Sequence, residues 1–142
     1  MSYFKFTDQI VNGRPIQIYN MGDMKRDFTY IDDIVKGIRA VMGQIPEPCS
    51  SGARYSIFNI GNSSPVALDT FITTLERILW EEGVTTRTAT HQLLPMQLGD
   101  VYQTYADTTA LEQKIGYQPS TTLEHGLRSF ARWYRDFYSD RV

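Results

Sequence analysis

Apolar positions along this chain follow two rhythms, a three-to-four-residue step and a strict alternation, and they change over at glycine, proline and asparagine. Residues 2–12 place Phe4, Phe6, Ile10 and Val11 on a loose helical face, and Asn12-Gly13 reads as its stop. Ile16-Gln17-Ile18-Tyr19 alternates and predicts a short strand. Asn20 to Asp23 reads as a turn. Arg26 to Ile31 sets Phe28 and Tyr30 against Asp27 and Thr29, which predicts a second short strand. Asp32 is placed to cap the next helix, because a carboxylate can accept from the free N–H groups of a first turn. That helix carries Ile34, Val35, Ile38, Val41 and Met42 on one stripe.

Residues 43–54 hold two prolines, two glycines and two serines and predict a loop. Tyr55 to Ile60 predicts a strand that ends at Gly61-Asn62. Leu68, Phe71, Ile72, Leu75, Ile78 and Leu79 recur at helical steps until Gly83, an amphipathic helix. Thr85–Leu94 is rich in β-formers and predicts an extended segment, followed by a loop from Pro95 to Asp100. Asp107 is placed to cap a short helix ending at Gly116. Thr121 and Glu124 have the spacing of a capping box, opening a helix that buries Leu123, Leu127, Phe130, Tyr134 and Phe137. Short strands mixed with four to five helices, without a run of strong parallel-strand cores, predict a small α+β domain spanning 1–142 and not a doubly wound sheet.

Composition narrows the partners. At 142 residues the chain is about one domain long. A net charge of −2 and the lack of a basic run argue against nucleic acid. No apolar stretch approaches the roughly 20 residues of a membrane span, and the first ten residues do not read as a signal peptide. The single cysteine, Cys49, sits in the Pro/Ser/Gly loop and reads as a free thiol, which fits a cytoplasmic setting. His91 and His125 are far apart, with no carboxylate at ligand spacing, so no metal site is expected. The sequence has no Gly-x-Ser-x-Gly elbow, no phosphate-binding Gly-x-x-x-x-Gly-Lys loop and no Gly-x-Gly-x-x-Gly turn.

What remains is Arg26, the strand bearing Gln17 and Tyr19, and Leu94-Pro-Met-Gln-Leu-Gly-Asp100. A guanidinium suits a carboxylate as well as a phosphate. Arg26 therefore reads either as an ion-pair partner of Asp27 or Asp32, or as a phosphate ligand. Taken singly, Tyr19 reads as packing, Gln17 as a solvent-facing strand residue and Gly99-Asp100 as a turn.

Three stretches together carry more information. "GRPIQIYNMGDMKRDFTYIDDIVKGI" (13–38), "YSIFNIGNSSPVAL" (55–68) and residues 93–138, opening "LLPMQLGDVYQTYAD", resemble the carboxyl-terminal part of the NAD-dependent sugar-nucleotide epimerases, the extended short-chain dehydrogenase/reductases. The UDP-glucuronate 4-epimerase subgroup is the most similar. The resemblance implies a fold of two parts, an amino-terminal Rossmann domain for NAD and a smaller domain for the nucleotide-sugar, of which these residues resemble only the second. The glycine-rich NAD loop and the catalytic Tyr-x-x-x-Lys pair are not among them. This implies a truncated relative or fragment that binds no NAD, has no catalytic residue of its own and is inactive alone.

By the same resemblance, Arg26 matches an arginine that pairs with the diphosphate of a UDP-sugar. Gln17 and Tyr19 match strand positions flanking the uracil. Asp100 matches an acidic residue near the ribose hydroxyls, and Gln97 stands where related epimerases often carry a phosphate-binding arginine. Leu98 departs from the proline usual before Gly-Asp. Without the Rossmann wall, UDP-sugar binding is expected to be weak. The alternative expectation is a non-enzymatic module that self-associates into a homo-oligomer or docks on the missing domain, using faces left bare.

Overall fold

Three helices share one apolar interior in the computed structural model, which describes residues 2–138. They are α1 (Ser2–Val11), α3 (Leu68–Glu81) and α5 (Leu123–Tyr138). Phe71, Leu75, Ile78 and Leu79 on α3 are fully buried and meet Phe6 and Ile10 of α1 and Leu127 and Ala131 of α5. The i, i+4, i+7, i+8 spacing of the α3 residues makes one wide apolar face, which is the physical reason this segment is a helix in this place. A charge cluster seals the outer seam between α3 and α5. Arg128 donates to Glu82 at 2.9 Å, Glu81 at 2.6 Å and Glu124 at 3.1 Å, and these three carboxylates push its pKa up.

The strands are short and form two separate pairs. β1 (Ile16–Ile18) runs parallel to β4 (His91–Leu93), with Gln17 opposite Gln92. β2 (Lys25–Arg26) runs antiparallel to β3 (Val66–Ala67). Ile16 and Ile18 point into the helical core while Gln17 is half-buried, as alternation requires. Between the pairs, Tyr19–Gly22 forms a 3-10 turn with Asn20 and Met21 at positive φ. The remaining helices are α2 (Ile31–Met42) and α4 (Thr109–Ile115). The architecture is α+β, with five helices and a few short strands among the described residues.

Several local expectations change. The second strand stops at Arg26 and does not reach Ile31. The Asp27 N–H is taken by the Thr104 hydroxyl at 3.0 Å, and Phe28 stacks on Phe71 at 4.6 Å, so residues 27–30 serve the core and not a ladder. Helix α2 starts at Ile31 with Tyr30 at the cap position, so Asp32 lies in the first turn and is exposed. The predicted stripe on α2 is also not its buried face. Ile34 and Val41 are half-buried and Val35, Ile38 and Met42 are exposed, whereas Asp33 and Gly37 are buried. A Cβ on Gly37 would sit 3.0 Å from Ile60 and 3.1 Å from Tyr117, so glycine is what lets these chains meet. Residues 55–60 have no strand partner among the described residues, although their exposure alternates. Within 85–94, only His91–Leu93 is strand.

The later caps shift by one residue. The Asp107 carboxylate does accept the Thr109 N–H at 3.0 Å, but from one position outside the cap, which is Thr108. At α5 the capping hydroxyl is that of Thr122, which accepts the His125 N–H at 3.2 Å, and Glu124 turns to Arg128 instead of closing a box. Phe137 is exposed, so the buried face of α5 ends at Tyr134.

The Thr121 N–H, which a capping box would offer to Glu124, serves Asp33 instead. That carboxylate is 3% exposed and accepts from Thr121 N–H at 2.8 Å and Ser120 N–H at 3.2 Å. Burial works to raise its pKa, but the hydrogen bonds from Thr121 and Ser120, with Lys36 nearby, outweigh this and hold it below the ordinary aspartate range. Asp33→Ala is therefore expected to cost about 1–3 kcal/mol, read as a shift in the urea midpoint, because the part-buried Ser120 and Thr121 N–H groups lose a charged acceptor. A depressed folded-state pKa contributes stability that is complete above about pH 4 and is lost as the pH falls through the folded value. The gap between native chain and variant should thus narrow in acid.

Candidate functional site

The residues singled out from sequence lie around one loop. Parallel β1 and β4 feed it, with the Leu94 N–H donating to the Ile18 carbonyl at 2.8 Å and the Met21 N–H to the Leu94 carbonyl at 3.1 Å. The chain then runs through Pro95 and Gln97 to Gly99, whose φ of 83° is a conformation glycine adopts freely. Gly99 turns Asp100 back, and the Asp100 N–H donates to the Gln97 carbonyl at 3.1 Å.

Asp100 meets Arg26 across this loop. The Arg26 Nη2 donates to Asp100 Oδ1 at 2.7 Å, and its Nη1 donates to the carbonyls of Lys25 at 2.8 Å and Tyr102 at 3.3 Å. The same Asp100 oxygen accepts the Val101 N–H at 2.8 Å. The side chains of Arg26 and Asp100 remain 25% and 32% exposed, so the pair stands at the surface, in contact with solvent. Neither Asp27 nor Asp32, the carboxylates adjacent in sequence, pairs with Arg26 among the described residues. The actual partner is 74 residues away.

Asp27 has a different task. Its Oδ2 accepts the N–H groups of Ser63 at 3.0 Å and Ala106 at 3.1 Å, and its Oδ1 that of Ser64 at 3.4 Å. Ser63 reaches it with φ at 52°, and its hydroxyl donates to the Ala106 carbonyl at 2.6 Å. Gly61 is required beside them, since a Cβ there would collide with the Ala106 side chain. With Lys25 bonded to both Tyr102 and Thr104, the strand end that roots Arg26 is fixed from two sides.

The five expected residues are therefore brought together unevenly. Arg26 and Asp100 touch, Gln97 is exposed and tied to Asp100 through its carbonyl, and Gln17 and Tyr19 are half-buried on the strand and turn that lead into the loop. No hydrogen bond joins the Gln17 or Tyr19 side chain to Arg26 or Asp100 among the described residues. A cavity of about 400 Å³ lies elsewhere, between Tyr30, Ile34, Leu127, Phe130 and Trp133, and none of the five lines it. No trio of His, Cys, Asp or Glu side chains is placed to hold a metal, and no helix is long and apolar enough to cross a membrane, among the described residues. Asp33 was missed from the sequence. Its signal was its place four residues before Gly37, on the face of α2 that packs inward.

Comparison with known proteins places these features in a wider set. Residues 3–130 match the family model described as GDP-mannose 4,6 dehydratase. The chain is 46% identical over 149 residues to a 37.6 kDa protein of Escherichia coli O111:H-, covering 97% of this chain and 43% of that one. It is 40% identical to a probable UDP-glucuronate 4-epimerase of Rhizobium meliloti, covering 97% of this chain and 42% of the relative. Among solved structures, the UDP-glucuronic acid 4-epimerase of Bacillus cereus, in complex with UDP-glucuronic acid and NAD, superposes with a TM-score of 0.79 at 26% identity, over 97% of this chain and 40% of that one. The chain thus spans less than half the length of these relatives.

The two carboxylates beside Arg26 are expected to differ in weight. Asp27→Ala leaves three backbone N–H groups without their acceptor and should cost about 3 kcal/mol, with amide exchange quickening first at Ser63 and Ala106. Asp100→Ala removes one half-exposed ion pair and should cost at most about 1 kcal/mol in the same urea titration.

Proposed function

The chain belongs to the GDP-mannose 4,6-dehydratase family of NAD-dependent sugar-nucleotide epimerases and dehydratases, whose carboxyl-terminal part it matches, and on that premise we propose that it forms the nucleotide-sugar half of a UDP-sugar 4-epimerase site. The observation that carries this reading is the Arg26–Asp100 pair. A guanidinium rooted on a pinned strand end stands at the surface beside a loop that ends in a second polar group. Among the described residues its Nε–H has no acceptor, so a diphosphate can be taken up without stripping the arginine of its present bonds. A half-exposed ion pair is also cheap to rearrange.

In this reading Arg26 holds the diphosphate and Asp100 takes the ribose hydroxyls. Gln17 and Tyr19 flank the uracil, and Gln97 supplies a neutral amide on the phosphate side of the loop. The glucuronate relatives favour a uronic acid as the sugar. Self-association into a homo-oligomer and a cytoplasmic location belong to the same proposal.

The described residues do not fit NAD. Helix α3 directly follows strand β3, the place where a pyrophosphate would meet a helix N-terminus, but it opens with Leu68-Asp69 and no glycine turn. Helix α2 opens with Asp32 and Asp33, again repelling an anion. No catalytic step is therefore assigned to this chain, and it is proposed to bind without epimerising.

Titrating UDP into the isotope-labelled chain tests the binding half of the reading. Shifts are expected at Arg26, Asp100 and Tyr19 with a dissociation constant in the micromolar to millimolar range, roughly −4 to −8 kcal/mol. Unmoved signals at these three residues with UDP at millimolar concentration would refute it.

A further inference from the structure

The loop that carries Asp100 is held at both ends. At one end the Leu94 N–H donates to the Ile18 carbonyl and the Leu94 carbonyl accepts the Met21 N–H; at the other the Tyr102 carbonyl accepts the Lys25 N–H at 2.8 Å. Between them the chain reverses through Gln97-Leu98-Gly99-Asp100, closed by the Asp100 N–H on the Gln97 carbonyl. Gly99 has positive φ, and Leu98 does not. Positive φ at the third position alone is the signature of a type II turn. This turn aims the carboxylate of its last residue, whose Oδ1 meets both Arg26 Nη2 and the Val101 N–H.

Little besides the one turn hydrogen bond holds this reversal. Gln97, Leu98 and Gly99 are exposed, Leu98 fully so, and a Cβ on Gly99 would meet nothing within 4 Å. No hydrogen bond uses the Leu98 N–H among the described residues. Leu98 therefore neither packs the turn in place nor presets its backbone. A proline ring at this second position would preset φ at about −65° without removing a bond.

We propose that Leu98 is a positioning residue that sets the affinity of the site, because it leaves the turn only partly populated and the Asp100 carboxylate loosely aimed. The inference rests on the UDP-sugar reading above and names what limits binding at that same site. When a fraction of molecules holds the competent turn, apparent affinity falls by that fraction. Substitutions that act only on the turn's backbone should then move affinity in both directions. A site weakened solely by lack of a second wall would not respond to them.

The test combines amide exchange without nucleotide and UDP titration, on the full chain and its variants. Leu98→Pro should slow exchange at Asp100 and Val101 about two- to fivefold and tighten UDP binding by a similar factor. Gly99→Ala, strained at this φ although no atom blocks its Cβ, should weaken UDP binding about five- to thirtyfold. Gly99→Asn, which tolerates left-handed backbone, should weaken it less than about threefold. In an Asp100→Ala background, Leu98→Pro should bring no gain, because the turn acts through that carboxylate. Four results would overturn the proposal while the UDP-sugar reading stands: unchanged amides in Leu98→Pro, slowed amides with unchanged UDP affinity, equal losses for Gly99→Ala and Gly99→Asn, or a gain from Leu98→Pro that survives the loss of Asp100. A native chain that binds no UDP at millimolar concentration would overturn that reading and this inference with it.

Discussion

A single carboxylate, that of Asp27, ties together the stretches of backbone beside the short β2–β3 pair and the Lys25–Gln103 bridge, where the ladder itself ends. It gathers N–H groups from Ser63, Ser64 and Ala106, while the residue's own N–H goes to Thr104. Each hydrogen bond to a charged acceptor is worth about 1.5–3 kcal/mol, more than a half-exposed ion pair such as Arg26–Asp100 contributes. The order of dependence follows from those magnitudes. Asp27 fixes the loops, the fixed loops hold the end of β2, and only then does the Arg26 guanidinium have a defined direction.

The same logic repeats at Asp33, which anchors the approach to α5 through Ser120 and Thr121. Two aspartates six residues apart thus bind the first quarter of the chain to its carboxyl-terminal third. The far side of the molecule is closed differently, by the cluster of Arg128, Arg132, Glu81 and Glu82 across α3 and α5. Charge lines that seam, whereas the exposed positions of α2 mix Ile31, Val35, Ile38 and Met42 with Asp32, Lys36 and Arg39.

Periodicity made the helices readable: the α3 face is buried as its spacing requires, and of the four α1 positions Phe6 and Ile10 are buried, Val11 is half-buried and Phe4 is exposed. It failed at α2, where the same spacing marks an exposed flank, because hydrophobic rhythm reports that a face is to be covered and not by what. It also failed at 27–30 and 55–60, where alternation is present but strand partners are not. The Arg26–Asp100 contact was not visible as an ion pair, since composition around Arg26 pointed to its sequence neighbours and the actual partner arrives through a glycine turn. The ordered motifs, by contrast, reached the family that the match over residues 3–130 shows.

The central claim is that a pinned guanidinium at position 26 exists to hold a diphosphate. The most direct measurement compares the affinities of UDP and uridine for the native chain and for Arg26→Met. The account predicts that the native chain prefers UDP at least about tenfold, as a charge-assisted bond of roughly 1.5–3 kcal/mol requires, and that the preference disappears in the variant while uridine binding is unchanged. Equal binding of UDP and uridine by the native chain, or a preference that survives the loss of Arg26, would contradict it.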